Sequence, residues 1–435
     1  MYANSQFSTL NSPLNMERLL QYVWKYRLYP AVELQTTEGA SLTVIDPGIL
    51  NTDAGPDFFN AKIKIGDAIW AGNIEIHRKA TDWKSHHHYE NPAYDSVILH
   101  VVAEDDAAIF RPNGEVIPQV VIEVPPKIKE NMDWLLSRDT SLPCAERIHE
   151  IDPIRISTWM ASLLTERLER KVDDIFALLD QNQNDWNEVF YITLTRNFGF
   201  GSNGDAFEYI AKSLPFKYIL KQRDNCWQIE ALLFGQAGLL NERIDDPYYQ
   251  LLQREYRFLQ QKYHLTQPDY CVIKHLRMRP AGCPYLRIAQ LAAIWTHHDT
   301  LFSRILEDSR PETLSAYFDN ALPEYWDTHY NFRTLSRKKK KKIGPSTIHL
   351  ILINTIAPIL FAYGRLKKNP DYCTKAIQLL ENIPPEQNIL VADFTDAGIG
   401  VKNACDTQAL TQLRRAYCEK KKCLNCRIGF ELVKK

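Results

Sequence analysis

Several familiar signatures are missing from this chain. No apolar run approaches the roughly 20 residues needed to cross a bilayer, which argues against a membrane-spanning protein. The opening residues, MYANSQFSTLNSPLN, carry neither the basic nor the apolar stretch of a secretory leader. The formal net charge is only -1, so no global basic field advertises nucleic-acid binding. Glycine is scarce, 17 of 435 residues, and the one glycine-rich stretch, 197–204, follows a helical pattern. It lacks the Gly-Lys-Ser/Thr of a phosphate-binding loop. No Ser-His-Asp, nucleophilic-cysteine or dinucleotide-binding pattern stands out. The nine cysteines are an odd, mostly scattered set, which fits a reducing compartment better than a disulfide framework. Together these absences lead us to expect a cytoplasmic protein without membrane association.

What is present reads as a globular chain: 45% hydrophobic and 24% charged residues over 435 positions, room for about two or three domains. A helix should begin near Asn15, with Leu19, Leu20, Val23, Trp24 and Tyr26 at helical spacing. From Leu34 the pattern changes to period two. SLTVIDPG and FFNAKIKIG read as strands, and DAIWAGNIEIH as a strand pair turning near Gly72. SVILHVVAED, almost continuously apolar, suits a buried central strand. VIPQVVIEVP is the last strand before Pro125 and Pro126. Beyond residue 130 helical periodicity takes over, as at Ile156, Trp159, Leu163, Leu164, Leu168, Val172 and Ile175. The expected architecture is α+β. It has a mixed-sheet domain over 1–130, a helical domain over 131–400, and a cysteine-rich segment over 401–435.

The stretch 51–102 is the densest in groups that bind metal or move protons: Asp57, Glu75, His77, Asp82, His86, His87, His88 and His100. Glu75 and His77 lie two apart on a strand and so share a face. A hairpin can bring Asp57 beside Glu75. Two carboxylates that close repel unless a proton or a cation lies between them, so Mg²⁺ or Mn²⁺ is the expected occupant. His77 would then be a ligand or a proton-handling group. His86 and His88 suggest a separate transition-metal site with Asp82 or His77. His87 reads as solvated, and His100, inside an apolar strand, as a hydrogen-bonded core histidine. The plain alternative is that Glu75 and His77 sit on an exposed strand face, with Asp57 as a turn former.

These residues carry a resemblance. GPDFFNAKIKIG…AGNIEIH resembles the motif of the PD-(D/E)XK nuclease superfamily, with Pro56-Asp57 as its first element and Glu75-Ile76-His77 as its second. Glu17 on the first helix corresponds to the helical Glu of many members. The resemblance implies a restriction-endonuclease-like sheet and a metal-dependent phosphodiesterase in which Asp57, Glu75, His77 and Glu17 act. His77 stands where that superfamily has Lys, which opens a second expectation: a nucleic-acid-binding or assembly protein that keeps the sheet without the chemistry. The whole chain also resembles a bacterial family of unknown function sharing GPDF, EIH, the His-rich turn, LHVV and a C-terminal cysteine group.

Cys405, Cys418, Cys423 and Cys426 follow the spacing C-x12-C-x4-C-x2-C. Four thiolates suit zinc or an iron–sulfur cluster, and the basic helix between them favours the deprotonated form. Arg277, Arg279 and Arg287, in and just after a proline-rich loop, could meet a phosphate. The run RKKKKK at 337–342, near Tyr325, Trp326, Tyr330 and Phe332, reads either as a solvated charge run or as a platform for a single strand.

Overall fold

Helix α1 (Pro13–Tyr26) is the first element of the computed structural model, which describes residues 13–30, 33–111, 113–268, 273–275 and 282–435. The helix starts two residues before the expected Asn15, with proline at a first-turn position where its missing N–H goes unneeded. Leu19, Leu20, Val23 and Trp24 are fully buried, as their spacing required.

Seven strands follow: β1 (Leu34–Gln35), β2 (Ser41–Asp46), β3 (Ile49–Leu50), β4 (Phe58–Ile65), β5 (Ala68–Lys79), β6 (Val97–Glu104) and β7 (Gln119–Val121). They form one mixed sheet in the order β1-β2-β4-β5-β6-β7, with β3 on β4. Pairings up to β4–β5 are antiparallel, and β5–β6 and β6–β7 are parallel. The expected strand pair in DAIWAGNIEIH is instead one twelve-residue strand. The chain reverses earlier, at Gly66-Asp67, where Gly66 takes the positive φ of 56° that two-residue hairpins use. Gly72 serves close approach: a Cβ there would fall 2.4 Å from Ile98 Cγ2 on the neighbouring strand.

A parallel pair cannot be closed by a hairpin. Residues 80–96 supply the crossover from β5 to β6, including the short helix α2 (Asp82–Ser85) and two single helical turns. Strand alternation sends Ile74, Ile76, Leu99 and Val101 into one core with α1 and helix α3 (Pro126–Ser137). A second core gathers Ala80, Trp83, Tyr94, Val97, Val102, Ile109 and Ile117. Glu75, His77 and His100 alternate with the members of the first core, so they face away from it.

By contacts the chain divides into two units. The sheet unit takes Met1–Trp159, Asp396–Ile399 and Leu413–Lys435; the helical unit takes Met160–Thr395 and Gly400–Gln412. The terminal helix Arg427–Lys434 thus belongs with the sheet, where Val433 is fully buried and its carbonyl accepts from Asn131 Nδ2 at 3.3 Å.

In the helical unit, Pro345–Lys367 is long and apolar enough to cross a bilayer, with mean hydropathy 1.6, which the sequence reading overlooked. Of that stretch's most apolar window, 72% is buried inside the protein, as in a core helix. A π turn at Leu352–Ile356 precedes Pro358, which has no N–H for the Asn354 carbonyl; Asn197 Nδ2 donates to that carbonyl instead, at 3.0 Å. The lysine run is a charge-paired brace. Lys338, Lys340 and Lys342 pair with Glu324, Asp327 and Asp319, and buried Lys341 donates to the Trp326 and Asp327 carbonyls. Trp326 and Phe332 are buried, so they offer no face for a base to stack on.

Candidate functional site

Asp57 immediately precedes β4, and Glu75 lies across the hairpin on β5. The Asp57 carboxylate accepts from Gln21 Nε2 at 2.8 Å and from the Ile76 N–H at 3.0 Å. Its own N–H donates to Glu75 Oε2 at 3.1 Å. Two acidic side chains are thereby locked together, Glu75 buried and Asp57 half-buried. Burial, followed by the Glu75 charge, pushes Asp57 up to about 7. Burial, with a smaller push from Glu17, takes Glu75 to about 8. Glu17 belongs to the same neighbourhood: burial, Asp57 and Asp82 raise its carboxyl, and His86 opposes them.

The imidazoles gather around His77. Its Nε2 lies 3.1 Å from His86 Nδ1, 3.2 Å from His88 Nε2 and 3.4 Å from Glu75 Oε1. Glu75 Oε1 is in turn 3.1 Å from His88 Nε2. Ligand atoms around one tetrahedral ion at zinc–imidazole bond lengths stand roughly 3.3 Å apart. The ligand nitrogens of His77, His86 and His88 all fall within 4.8 Å of one another, so the three can hold a metal ion. The turn makes this possible. His87 adopts a left-handed φ of 58°, unusual outside glycine, and stays exposed as expected, while His88 turns inward and His86, itself exposed, reaches His77 from the rim. His88 is clamped by stacking on Tyr94, centroids 3.9 Å apart, and by the edge of Trp83.

Behind His77 a buried chain sets its tautomer. Gln119 Nε2 donates to Asp105 Oδ1 and to the Ala107 carbonyl, which leaves Gln119 Oε1 to face His100 Nδ1 at 3.0 Å. An amide oxygen only accepts, so His100 Nδ1 carries the proton. Neutral His100 Nε2 then accepts from His77 Nδ1–H across 2.8 Å. His77 Nε2 is left as a bare lone pair aimed at His86, His88 and Glu75. Burial first, then the neighbouring histidines, holds His77 down to about 2. Burial also drives His100 down to about 4, against its bond to Gln119. Both rings are neutral at pH 7, as metal ligation requires.

The residues of the two expected sites lie side by side. Glu75 and His77 share a centre with His86 and His88, and Asp57 and Glu17 border it. Of these side chains, His77, His86 and His88 form the group that could hold a metal ion. Asp82 is not part of it: its Oδ2 accepts from the Lys79 N–H at 3.0 Å at the start of the crossover. His100 is the hydrogen-bonded core histidine that its apolar strand foretold.

A cleft of about 740 Å³ opens along α1 and α3, on the side of the first core, and no histidine of the centre lines it. Arg18, Lys25, Lys421 and Lys422 line it with Tyr22, Tyr26 and Trp134, and Asp133 is the acidic residue among them. Gln21 lines the same cleft while holding Asp57, so cleft and carboxylates share a wall.

The other expected residues fare differently. Arg287 is buried: it donates to Gln290 Oε1 and lies 4.5 Å over the Phe200 ring, and burial lowers it to about 10. That position does not suit a phosphate contact. Arg277 and Arg279 lie outside the described residues. Cys405 belongs to the helical unit, where its thiol donates to the Ile377 carbonyl at 3.7 Å. Cys418, Cys423 and Cys426 line a small cavity in the sheet unit together with Cys144, a residue the spacing argument passed over. Gln21, Gln119 and Tyr94 were also missed. Gln21 follows Glu17 by four residues and so shares its helix face, and Gln119 is a lone polar residue in an apolar strand; both were visible signals.

A family model described as "Protein of unknown function (DUF2851)" matches residues 17–389. No curated protein and no solved structure matches the chain. The restriction-endonuclease-like reading of the sheet rests on the short motif alone.

Proposed function

We propose, on the premise that the chain belongs to the DUF2851 family of proteins of unknown function, that its sheet unit is a metal-dependent phosphodiesterase acting on nucleic acid. The convergence of His77 Nε2, His86 Nδ1, His88 Nε2 and Glu75 Oε1 carries this reading. A bound transition ion would supply Lewis acidity and a water acidic enough to ionise near neutrality. The chain's own part is to hold the ligand lone pairs in register through His100 and Gln119. Asp57, pinned by Gln21 and the Ile76 N–H with its pKa near 7, is poised to take a proton from an attacking water. The four cations of the cleft suit a phosphate backbone.

Incubation of the protein with single- and double-stranded DNA and RNA, with Mn²⁺, Zn²⁺ or Mg²⁺, tests the proposal. Cleavage should need the metal and should vanish in Asp57→Asn and Glu75→Gln. Cleavage that survives both substitutions removes the reading. A second reading rests on His77 in place of the superfamily's Lys, a cation that would offset charge at the phosphate. Under it the cleft binds nucleic acid without cutting, and the same mixtures would show salt-dependent binding and intact substrate.

A further inference from the structure

The cysteines of the sheet unit meet at a cavity of about 20 Å³, lined by Cys144, Cys418, Cys423 and Cys426 and by Leu135, Leu413 and Ile428. A single water needs about 10–15 Å³ and two or more polar partners. The space is large enough, but its walls are apolar apart from the sulfurs. Buried cysteine often serves as a small hydrophobe, yet close packing would then fill the void. Four soft ligands around a dry gap are instead the chemistry of a thiophilic metal centre.

The backbone is arranged to match. Cys423 and Cys426 form a tight turn in which the Cys426 N–H donates to the Cys423 carbonyl at 3.2 Å. The N–H groups of Ile428 and Gly429, at the start of the terminal helix, are directed at the Cys426 sulfur. A Cβ at Gly429 would lie 2.0 Å from the Cys423 carbonyl oxygen, so the helix presses on the turn as only glycine allows. The buried indole N–H of Trp159 has no nitrogen or oxygen partner and sits beside the same sulfur. Burial first, then Cys426 and Cys423, raises the Cys418 thiol to about 12, Arg414 opposes that rise, and Arg415, Lys420, Lys421, Lys422 and Arg427 lie within the same short segment. That positive charge offsets the negative charge a four-thiolate centre carries.

We propose that Cys144, Cys418, Cys423 and Cys426 hold a four-thiolate metal centre, a zinc ion or an iron–sulfur cluster, that clasps the C-terminal segment onto the sheet unit. The set replaces Cys405 of the spacing-based expectation with Cys144, some 270 residues before its partners. Assembly converts four thiols to thiolates and releases their protons. Lys421 and Lys422, between two of the ligands, line the cleft described above, so the centre also sets one wall of it. The inference does not depend on the cleavage reading.

Sulfur ligation separates this centre from the histidine site. Full-length protein would be analysed for zinc, iron and acid-labile sulfide, with metal–sulfur bonds counted by X-ray absorption. Iron with sulfide and visible colour identifies a cluster; zinc with sulfur neighbours and no colour identifies a single ion; either supports the proposal. Cys144→Ser should lose the sulfur-bound metal, and Cys405→Ser should keep it. If Cys144→Ser is insoluble, alkylation of the wild type followed by mass spectrometry decides the matter. Cys144, Cys418, Cys423 and Cys426 should resist alkylation until a chelator is added. Absence of sulfur-bound metal, loss of it in Cys405→Ser, or equal alkylation before and after chelation overturns the proposal.

Discussion

Replacement of His100 by Leu tests the tautomer chain directly. His100 is fully buried, and Leu fills similar space without either ring nitrogen. The change strands the His77 Nδ1–H and Gln119 Oε1, which now lie 2.8 and 3.0 Å from their partners on His100. Each buried group left unpaired costs about 1–3 kcal/mol, so the variant should lose roughly 2–6 kcal/mol of stability. Metal binding should suffer separately. Without an acceptor for Nδ1–H, nothing keeps the lone pair of His77 on Nε2, and loss of such an outer partner weakens metal affinity by about 10–100-fold. Zinc titration in competition with a chromophoric chelator measures this, with circular dichroism to show that the variant is folded. His87→Ala, at an exposed ring, is the control and should bind as wild type. Should Leu prove too disruptive, Gln119→Met removes only the end of the chain and should give a smaller loss of the same sign. A folded His100→Leu protein with wild-type affinity would refute the reasoning, because the tautomer of His77 would then be set by something else.

Three further outcomes follow from the same structure. Burial raises Glu75 to about 8, so a metal ion that takes the Glu75 carboxylate as a ligand at pH 7 displaces its proton; calorimetry with zinc in buffers of different ionisation enthalpy should then show close to one proton released at pH 7 and little above pH 9. Glu230 is fully buried between the Tyr248 hydroxyl and the Trp326 indole, and burial raises it from 4.5 to about 7. A folded-state pKa above the unfolded one means the unfolded chain gives up its proton first, so stability falls as pH rises from about 4.5 to about 7, by about 3 kcal/mol. Glu230→Gln should flatten that fall in urea unfolding, and an unchanged profile would count against it. Gly235→Ala would place a Cβ 2.0 Å from Tyr256 Cδ2 at a helix crossing, and should lower the melting temperature through a loss of about 1–3 kcal/mol; an unaltered melt would show that the ring yields.

Much of the candidate centre was legible because its parts are close in the chain. Glu75, His77, His86 and His88 lie within fourteen residues, and strand alternation alone puts the first two on one face. The α+β order, with strands early and helices after, followed from the change in hydrophobic period near residue 130. The error at Gly72 arose because a glycine in a strand reads equally as a turn or as a close approach, and only the position of Ile98 distinguishes them. The lysine run shows a similar limit: composition shows its exposed charge but not that Glu324, Asp327 and Asp319 meet it.

The amino-acid sequence by itself determined which chemistry this protein can hold: a carboxylate–imidazole group near the start, thiols near the end, and a sheet to carry the first. Those follow from residue identity and local period, which act over a few positions. Tertiary structure alone decided that Glu75 and His77 lie beside His86 and His88, that Gln119 and His100 stand behind His77, and that Cys144 rather than Cys405 faces the last three cysteines. Each of these is a meeting of residues from different strands or opposite ends of a unit. It is set by strand register and by burial of shared apolar faces, which no local pattern records.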